Sequence, residues 1–467
     1  MFLNQPLIKN TKFISLFIFI LFALASTVIW TGFNLLDIEN YNEWRIIEVL
    51  ILTVINILGT FYLRKNHHYL KSKLILSLSL LFILGLASSY NSNYPIRAVR
   101  DTSLYISIAI SCFFLALFIK ENARGALYTV VYMSIIPIVF IIYSFFSFLF
   151  TIPPNISEHP IYFLDLWQAH FATKRLYGDN ALPIIFIIIG LFFTDFFSKY
   201  KNYLYIYLFL FLFLFMLTGG RGVFISFYVT IFIGFIFKPQ LRYMFVNIII
   251  ISALSFIASY LFLYILDNQT NATLFRTDSS GRSILITQSI LSIKNNLLLG
   301  IGPSQFYNTA NLVSHPHNFL LQLLVEWGII SFIIFIVVVI PFIISFTKLF
   351  IRTDNNLDVF IILALVSFCI NTNFNGAHIY SANHIYIIFI LSYVLSLSFA
   401  LQENYIFFCK KSHIYLFYLI SIIVTLLLVT TTYEGFKCLD INMNTGLNIY
   451  GPRFWLYNSP DDDQLCQ

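Results

Sequence analysis

The sequence predicts an all-α membrane protein, a polytopic bundle of about 12 to 13 transmembrane helices. Of its 467 residues, 59% are hydrophobic and only 10% are charged, whereas a soluble domain carries about 25% charge. The apolar residues, 53 phenylalanines among them, form long unbroken runs instead of alternating with polar ones. These observations exclude a soluble enzyme, a secreted disulfide scaffold, a disordered chain and an outer-membrane barrel.

Thirteen apolar runs are candidate spans, because a helix needs about 20 mostly apolar residues to cross the hydrocarbon core. Their predicted bounds are 13–33, 46–63, 74–90, 102–119, 127–150, 181–197, 203–217, 222–237, 244–266, 328–350, 358–374, 383–401 and 413–432. Between the seventh and eighth runs stand Gly219, Gly220 and Arg221. This short break predicts a tight turn between two helices at the membrane edge.

The positive charges predict the orientation of the bundle. With the N-terminus placed in the cytoplasm, every cytoplasmic connection holds at least two Lys or Arg residues, as the positive-inside rule requires. The net charge of +6 therefore reflects topology and gives no indication of nucleic-acid binding. The cations that remain on the outer side need another explanation.

Two outer segments, 151–180 and 267–327, are longer than ordinary connections, and long loops in compact folds tend to carry function. Within the second, Ile284 to Leu299 has apolar residues at helical spacing, which predicts an amphipathic helix on the membrane surface. We expect one transmembrane domain, 1–433, which includes loop 267–327, followed by an outer tail, 434–467. A Cys438–Cys466 bridge in the tail stays open, since spacing alone does not set geometry.

Three motifs on the outer side carry polar chemistry. The first is Thr218-Gly219-Gly220-Arg221-Gly222, the second Asp278-Ser279-Ser280-Gly281-Arg282-Ser283, and the third His315-Pro316-His317-Asn318. Taken singly, Arg221 could snorkel to the interface and Arg282 could be a solvated loop residue. The His-x-His pair also suggests a metal, but no third ligand follows at a convincing spacing, so we predict no metal site.

Together the motifs fit one reaction. Two guanidinium groups can hold a diphosphate through forked hydrogen bonds and stabilise the charge of a departing pyrophosphate. An imidazole of near-neutral pKa can take a proton from an attacking hydroxyl. This combination predicts group transfer from a lipid diphosphate to an alcohol, without ATP.

On these motifs the chain resembles the O-antigen ligases, within the wider ligase/polymerase superfamily of membrane glycosyltransferases. The resemblance extends over most of the chain and includes Leu299-Gly300-Ile301-Gly302, Gly328, Tyr94–Ala98 and Tyr177–Asn180. It implies a GT-C-like fold and metal-independent, inverting transfer with no cofactor. It also implies an undecaprenyl-diphosphate-linked glycan as donor and a lipid A-core sugar as acceptor, with the active site of a multi-pass bacterial inner-membrane enzyme facing the periplasm.

Carried over by position, Arg221 and Arg282 match the family's diphosphate-binding arginines and His317 its proposed base. The resemblance gives weaker assignments to substrate binding for a second set of residues: Arg97, Arg100, Lys174, Arg175, His315 and Asn318. For Asn318 a structural role at the local turn is also open, and Glu326 either tunes His317 or serves a helix terminus.

Several alternatives remain on sequence grounds. An O-antigen polymerase and a protein O-oligosaccharyltransferase would share the donor and the arginine chemistry. A flippase or transporter of lipid-linked glycans is a non-enzymatic alternative, but transport sites tend to lie near the bilayer midplane. Here the polar residues gather at the outer side, which favours an enzyme at the interface.

Overall fold

A computed structural model of the chain describes residues 5–33, 35–36, 40–63, 72–151, 171, 174–267, 282–306, 315–401 and 411–442. The described ranges are nearly all helical and contain no strand. In chain order the helices are α1 Gln5–Thr31, α2 Asn40–Leu63, α3 Ser72–Tyr90, α4 Pro95–Glu121, α5 Ala123–Ile135, α6 Pro137–Thr151, α7 Lys174–Leu191, α8 Lys201–Leu217, α9 Arg221–Phe237, α10 Arg242–Asp267, α11 Arg282–Asn295, α12 Phe319–Arg352, α13 Asn356–Asn371, α14 Ser381–Leu401 and α15 Lys411–Asn442.

The predicted fold class is confirmed: this is a polytopic bundle of apolar helices. Each of the thirteen predicted runs coincides largely with a helix, and α5 and α6 share the fifth run. Ten of the described helices are long and apolar enough to cross a membrane, while α9 and α13 are apolar but shorter. The differences lie at the edges: α15 continues past residue 433 to Asn442, so the predicted tail begins as helix. Cys466 and the side chain of Cys438 lie outside the described residues.

Helix α4 forms the centre of one half of the bundle, where it contacts α2, α3, α14 and α15. Hydroxyl and amide groups join these helices, because polar side chains inside a membrane bundle must find partners within the protein. Asn56 of α2 donates to Ser107 of α4 at 2.8 Å and accepts from Ser111 at the same distance. In the other half, α13 packs along α7 and α9.

Two breaks in the helices shape one end of the bundle. Gly219, with φ at 61°, closes the predicted turn between α8 and α9. Gly328 interrupts α12 with φ at 75° and ψ at 174°. Between residues 332 and 348, α12 has no fully buried side chain, so this apolar part of the helix is half-buried on one side and exposed on the other.

The predicted amphipathic helix exists as α11 but is shorter, ending at Asn295. Its buried residues are Leu285, Ser289 and Ser292. The apolar Ile284 and Ile290 point outwards, about half exposed. The apolar face is therefore turned away from the protein, as expected for a helix that lies against lipid.

Candidate active site

The turn before α9 presents Arg221 at the first position of that helix, with an exposed side chain. The turn packs tightly because its glycines leave room for neighbours. Gly222 faces Phe374 and Asn375, where a Cβ would come within 2.8 Å of the Phe374 side chain. Gly178 of α7 in turn faces Thr218. The first motif therefore lies against both α7 and the loop that follows α13.

Two more helices begin with a basic residue near this turn. Arg175 is the second residue of α7 and is exposed, and Arg282 is the first residue of α11 and is partly buried. Burial lowers the pKa of Arg282, and the positive charges of Arg221 and Arg175 lower it further. The three guanidinium groups are thus close enough to repel one another.

The third motif joins the same cluster. Burial, assisted by the charges of Arg175 and Arg282, lowers the pKa of His317 to about 4. This pKa is lower than the near-neutral value expected from the sequence. Burial and the two neighbouring cations both disfavour a positive charge on the imidazole. His317 has a left-handed backbone with φ at 55°, which turns the chain sharply before α12. Within the described ranges, no group of three His, Cys, Asp or Glu side chains is arranged to hold a metal.

His315 and Asn318 hold the turn around His317 in place. The rings of His315 and His317 meet edge to face, with 4.3 Å between their centroids. Asn318 is the N-cap of α12, where its Oδ1 accepts from the Leu321 amide at 2.8 Å. Its Nδ2 donates to the carbonyl of Asn373 at 3.2 Å. The Asn318 amide is thus engaged with backbone at both ends, which fits the structural role left open by the sequence.

The Leu299–Gly302 motif fastens α11 to the break in α12. The amide of Ile301 donates to the carbonyl of Val325, and that of Gly302 to the carbonyl of Glu326, both at 3.0 Å. Gly300 and Gly328 meet at this contact, and a Cβ on Gly328 would collide with the carbonyl of Leu298. This pairing sets Arg282 and the start of α12 in one rigid unit.

The loop 371–380, between α13 and α14, contacts the turn before α9, the third motif and the start of α12. Asn375 packs on Gly222, the Phe319 amide donates to the Thr372 carbonyl at 3.0 Å, and His315 lies directly on Gly376. We call this segment the organising loop. Sequence patterns gave it no role, because its importance rests on contacts with residues far away in the chain.

A buried carboxylate anchors the organising loop to α7. Asp179 Oδ1 accepts from the amides of Asn371 at 2.7 Å and Asn375 at 3.2 Å. The charge of Arg175, one helical turn before Asp179, acts on the same carboxylate. The motif Tyr177–Asn180 thus connects the arginine cluster with the organising loop.

The other predicted residues are placed as follows. Arg97 and Arg100 are each 2% exposed in α4, and Arg100 Nη1 donates to the Thr431 carbonyl of α15 at 3.4 Å. They lie at the same end of the bundle as the arginine cluster, but their side chains are buried between helices. Lys174 is the first residue of α7, and its side chain lies outside the described residues. Glu326 is buried and accepts from Gln322 at 3.1 Å.

A second group of polar residues at this end was not predicted. Arg45 and Glu48 form an ion pair of 2.6 Å in α2, and His384 of α14 contacts the same carboxylate at 2.7 Å. His378 and Gln322 join at 2.8 Å beside them. The available signal was the pair of opposite charges three residues apart at the edge of an apolar run, the spacing of neighbours on a helix.

Comparison with known families follows the same residues. Residues 206–336 match the family model described as O-antigen ligase, a stretch that contains the first two motifs, the third motif and Gly328. Within this stretch the resemblance inferred from the sequence is confirmed. No curated protein matches the chain. The family match supports glycosyl transfer of the ligase or polymerase type in general.

Proposed function

We propose that this chain, whose residues 206–336 are of the O-antigen ligase family, transfers a glycan from undecaprenyl diphosphate to a sugar hydroxyl of lipid A-core. The reaction inverts the anomeric carbon and takes place at the periplasmic face of the bacterial inner membrane. Arg221 and Arg282 bind the diphosphate, with Arg175 as a third cation, and His317 is the base.

The observation that carries this proposal is that the charges of two basic helix starts, Arg175 and Arg282, act on His317, while the charge of a third, Arg221, acts on Arg282. A cation at a helix N-terminus is unfavourable, because the helix dipole is positive there. Three such ends bearing Arg175, Arg221 and Arg282 lie within electrostatic range of one another or of His317. Backbone amides and guanidinium groups together make the arrangement suited to a multivalent anion such as a diphosphate.

The leaving group determines what the arginines contribute. When the bond between the anomeric carbon and the phosphate oxygen breaks, the electron pair stays on the diphosphate and its negative charge grows. Guanidinium groups that are already in position stabilise that charge without having to reorganise. They thereby take the part that a metal ion plays in many other phosphate reactions.

The low pKa of His317 implies that the donor binds before the proton is transferred. Without donor, burial and the charges of Arg175 and Arg282 keep the imidazole neutral and weakly basic. A bound diphosphate offsets their charge and raises the basicity of the ring. His317 then takes the proton of the acceptor hydroxyl as its oxygen attacks the anomeric carbon from the face opposite the diphosphate. The products are a glycoside, a protonated imidazole and the carrier diphosphate.

The fold supports an interfacial location for the substrates. The helix starts lie at one end of the bundle, and the exposed apolar faces of α11 and α12 suit contact with membrane lipids. A lipid-linked donor can therefore keep its chain in the bilayer while its diphosphate reaches the arginines. In this arrangement both substrates are lipids, and no nucleic acid takes part.

A reconstituted assay tests the proposal. Purified protein is mixed with an undecaprenyl-diphosphate-linked glycan and lipid A-core, without ATP and in the presence of EDTA. We expect transfer by the parent protein and a rate at least about 100-fold lower for Arg221→Ala, Arg282→Ala or His317→Ala, each of which should still insert and stay monodisperse. Normal transfer by the His317→Ala variant would rule out the assignment of the base.

The family match fits a polymerase as well, so the acceptor needs its own test. Deleting a ligase leaves full-length polymer on the lipid carrier. Deleting a polymerase leaves single repeats on lipid A-core. A protein O-oligosaccharyltransferase would leave lipopolysaccharide unchanged and remove glycan from proteins instead. A flippase would show no transfer in the purified system.

A further inference from the structure

A clamp of side chains holds the segment Ala377–Ile379 of the organising loop. Its three consecutive carbonyls each accept a hydrogen bond from a different side chain. Asn383 Nδ2 donates to Ala377 at 2.8 Å, His384 Nε2 to His378 at 2.6 Å, and Arg45 Nη2 to Ile379 at 2.6 Å. We call these three donors, with Glu48, the carbonyl clamp.

Glu48 ties two members of the clamp together. One carboxylate oxygen accepts from Arg45, and the other lies 2.7 Å from His384 Nδ1. The His384 ring is therefore held between a carbonyl oxygen on one side and a carboxylate oxygen on the other. Glu48 is fully buried and Arg45 is 1% exposed, and burying such a pair costs desolvation energy. Apolar residues would fill the same space at lower cost, so the pair is poorly explained by stability alone.

The clamped segment is connected to the proposed base, His317, through contacts with His315. His315 lies on Gly376, the residue before the segment, and its ring meets that of His317. The ring of His378 lies 6.4 Å from that of His315 and is fixed by its 2.8 Å hydrogen bond to Gln322. A shift of Ala377–Ile379 would therefore displace both histidines of the third motif.

We propose that Glu48, Arg45 and His384 are positioning residues for glycan transfer, which act by holding Ala377–Ile379 so that His315 and His317 keep the orientation needed for proton removal. This inference rests on the proposed function. It predicts that the clamp affects the chemical step and leaves the arginines free to bind donor diphosphate. Misplacing a catalytic group by about 1 Å can cost about 100-fold in rate.

The test uses Glu48→Gln in the full-length protein, with Asp358→Asn as matched control. Asp358 is also a buried helix carboxylate, which accepts from Tyr393 at 3.0 Å near the start of α13, a helix length away from the site. We expect Glu48→Gln to lower kcat by about 10- to 100-fold while the KM for donor and the binding of undecaprenyl diphosphate stay within about twofold. The control should keep its kcat.

A double variant separates positioning from loss of fold. If Glu48 acts through His317, adding Glu48→Gln to His317→Ala should not reduce the residual rate further. An additive loss, or a parallel fall of kcat, diphosphate binding and unfolding temperature, would overturn the proposal. So would a parental kcat in Glu48→Gln.

A second variant covers the case in which Glu48→Gln does not fold. His384→Gln replaces two ring nitrogens on opposite sides by one amide nitrogen, which weakens at least one of the two contacts, so we expect a smaller loss of kcat with diphosphate binding intact. An unchanged kcat in this variant contradicts the clamp. Arg221→Ala is assayed in parallel: if it transfers normally, the proposed function fails, whereas a dead Arg221→Ala beside a normal clamp variant contradicts this inference alone.

Discussion

Two sets of arginines at the same end of the bundle differ in their surroundings. Arg175, Arg221 and Arg282 stand at helix starts, where their side chains are exposed or partly buried. Arg45, Arg97 and Arg100 are buried in α2 and α4, and the charges of Glu48 and Asp101 act on Arg45. The first set suits a ligand that comes and goes, while the second set holds helices together.

The largest expected effect concerns the buried set. Replacing Arg97 or Arg100 by Ala leaves a cavity in α4, and large-to-small substitutions at buried positions typically cost about 2–5 kcal/mol. We expect low yield and a lower unfolding temperature in detergent, measured by differential scanning fluorimetry. A stable, monodisperse Arg100→Ala protein that fails only in transfer would move Arg100 to the substrate-binding set.

Variants of the exposed set should do the reverse. Arg221→Ala and Arg282→Ala remove groups that stabilise the leaving diphosphate, for which losses of about 100- to 1000-fold in kcat are typical. Their unfolding temperatures should match the parent, since surface substitutions change stability by about 0.5 kcal/mol or less. A matched loss of stability in Arg221→Ala would erase the distinction between the two sets.

The glycines at the α12 break should give an intermediate effect on stability. Gly328→Ala places a side chain at φ 75° and against the Leu298 carbonyl, so we expect a loss of about 1–3 kcal/mol. Ser331→Ala, on the same helix beyond the break, serves as control. Chemical unfolding of both variants measures the difference, and equal stabilities would show that the break is not constrained.

The smallest effect concerns pH. Burial and the nearby arginines hold the pKa of His317 at about 4, so the free protein keeps this imidazole neutral through the weakly acidic range. The acid limb of kcat/KM should therefore lie at low pH, and that of kcat, which reports the donor complex, at higher pH. Arg175→Ala should raise the pKa of His317 by removing a positive charge. Rate profiles from pH 4 to 8 measure both shifts, and coincident limbs would contradict the proposed coupling.

The helices and the main cluster were predictable, for a physical reason. Long apolar runs have few alternatives to a transmembrane helix, and Gly219-Gly220 can turn where other residues cannot. The motifs of Arg221, Arg282 and His317 were singled out because cations and imidazoles are costly near a membrane. That these residues act together in one reaction stays a prediction.

The sequence did not predict which basic side chains point into the helical bundle. Arg97 and Arg175 look alike in sequence, as outer cations near a helix start, yet one is buried and the other joins the cluster. Their difference depends on how α4 and α7 pack, which involves residues of α14 and α13 more than 150 positions away in the chain. The clamp of Glu48 and His384, 336 positions apart, was missed for the same reason.

The split of α12 at Gly328 divides a 34-residue rod into two mechanically separate pieces. The short piece is hydrogen-bonded to the Leu299–Gly302 segment. The long piece has the exposed apolar side chains expected of a helix in contact with lipid. In a thicker or thinner bilayer, the long piece can tilt to match the thickness of the hydrocarbon core. Because the helix is interrupted at Gly328, we expect this tilt to leave the turn that contains His317 in place.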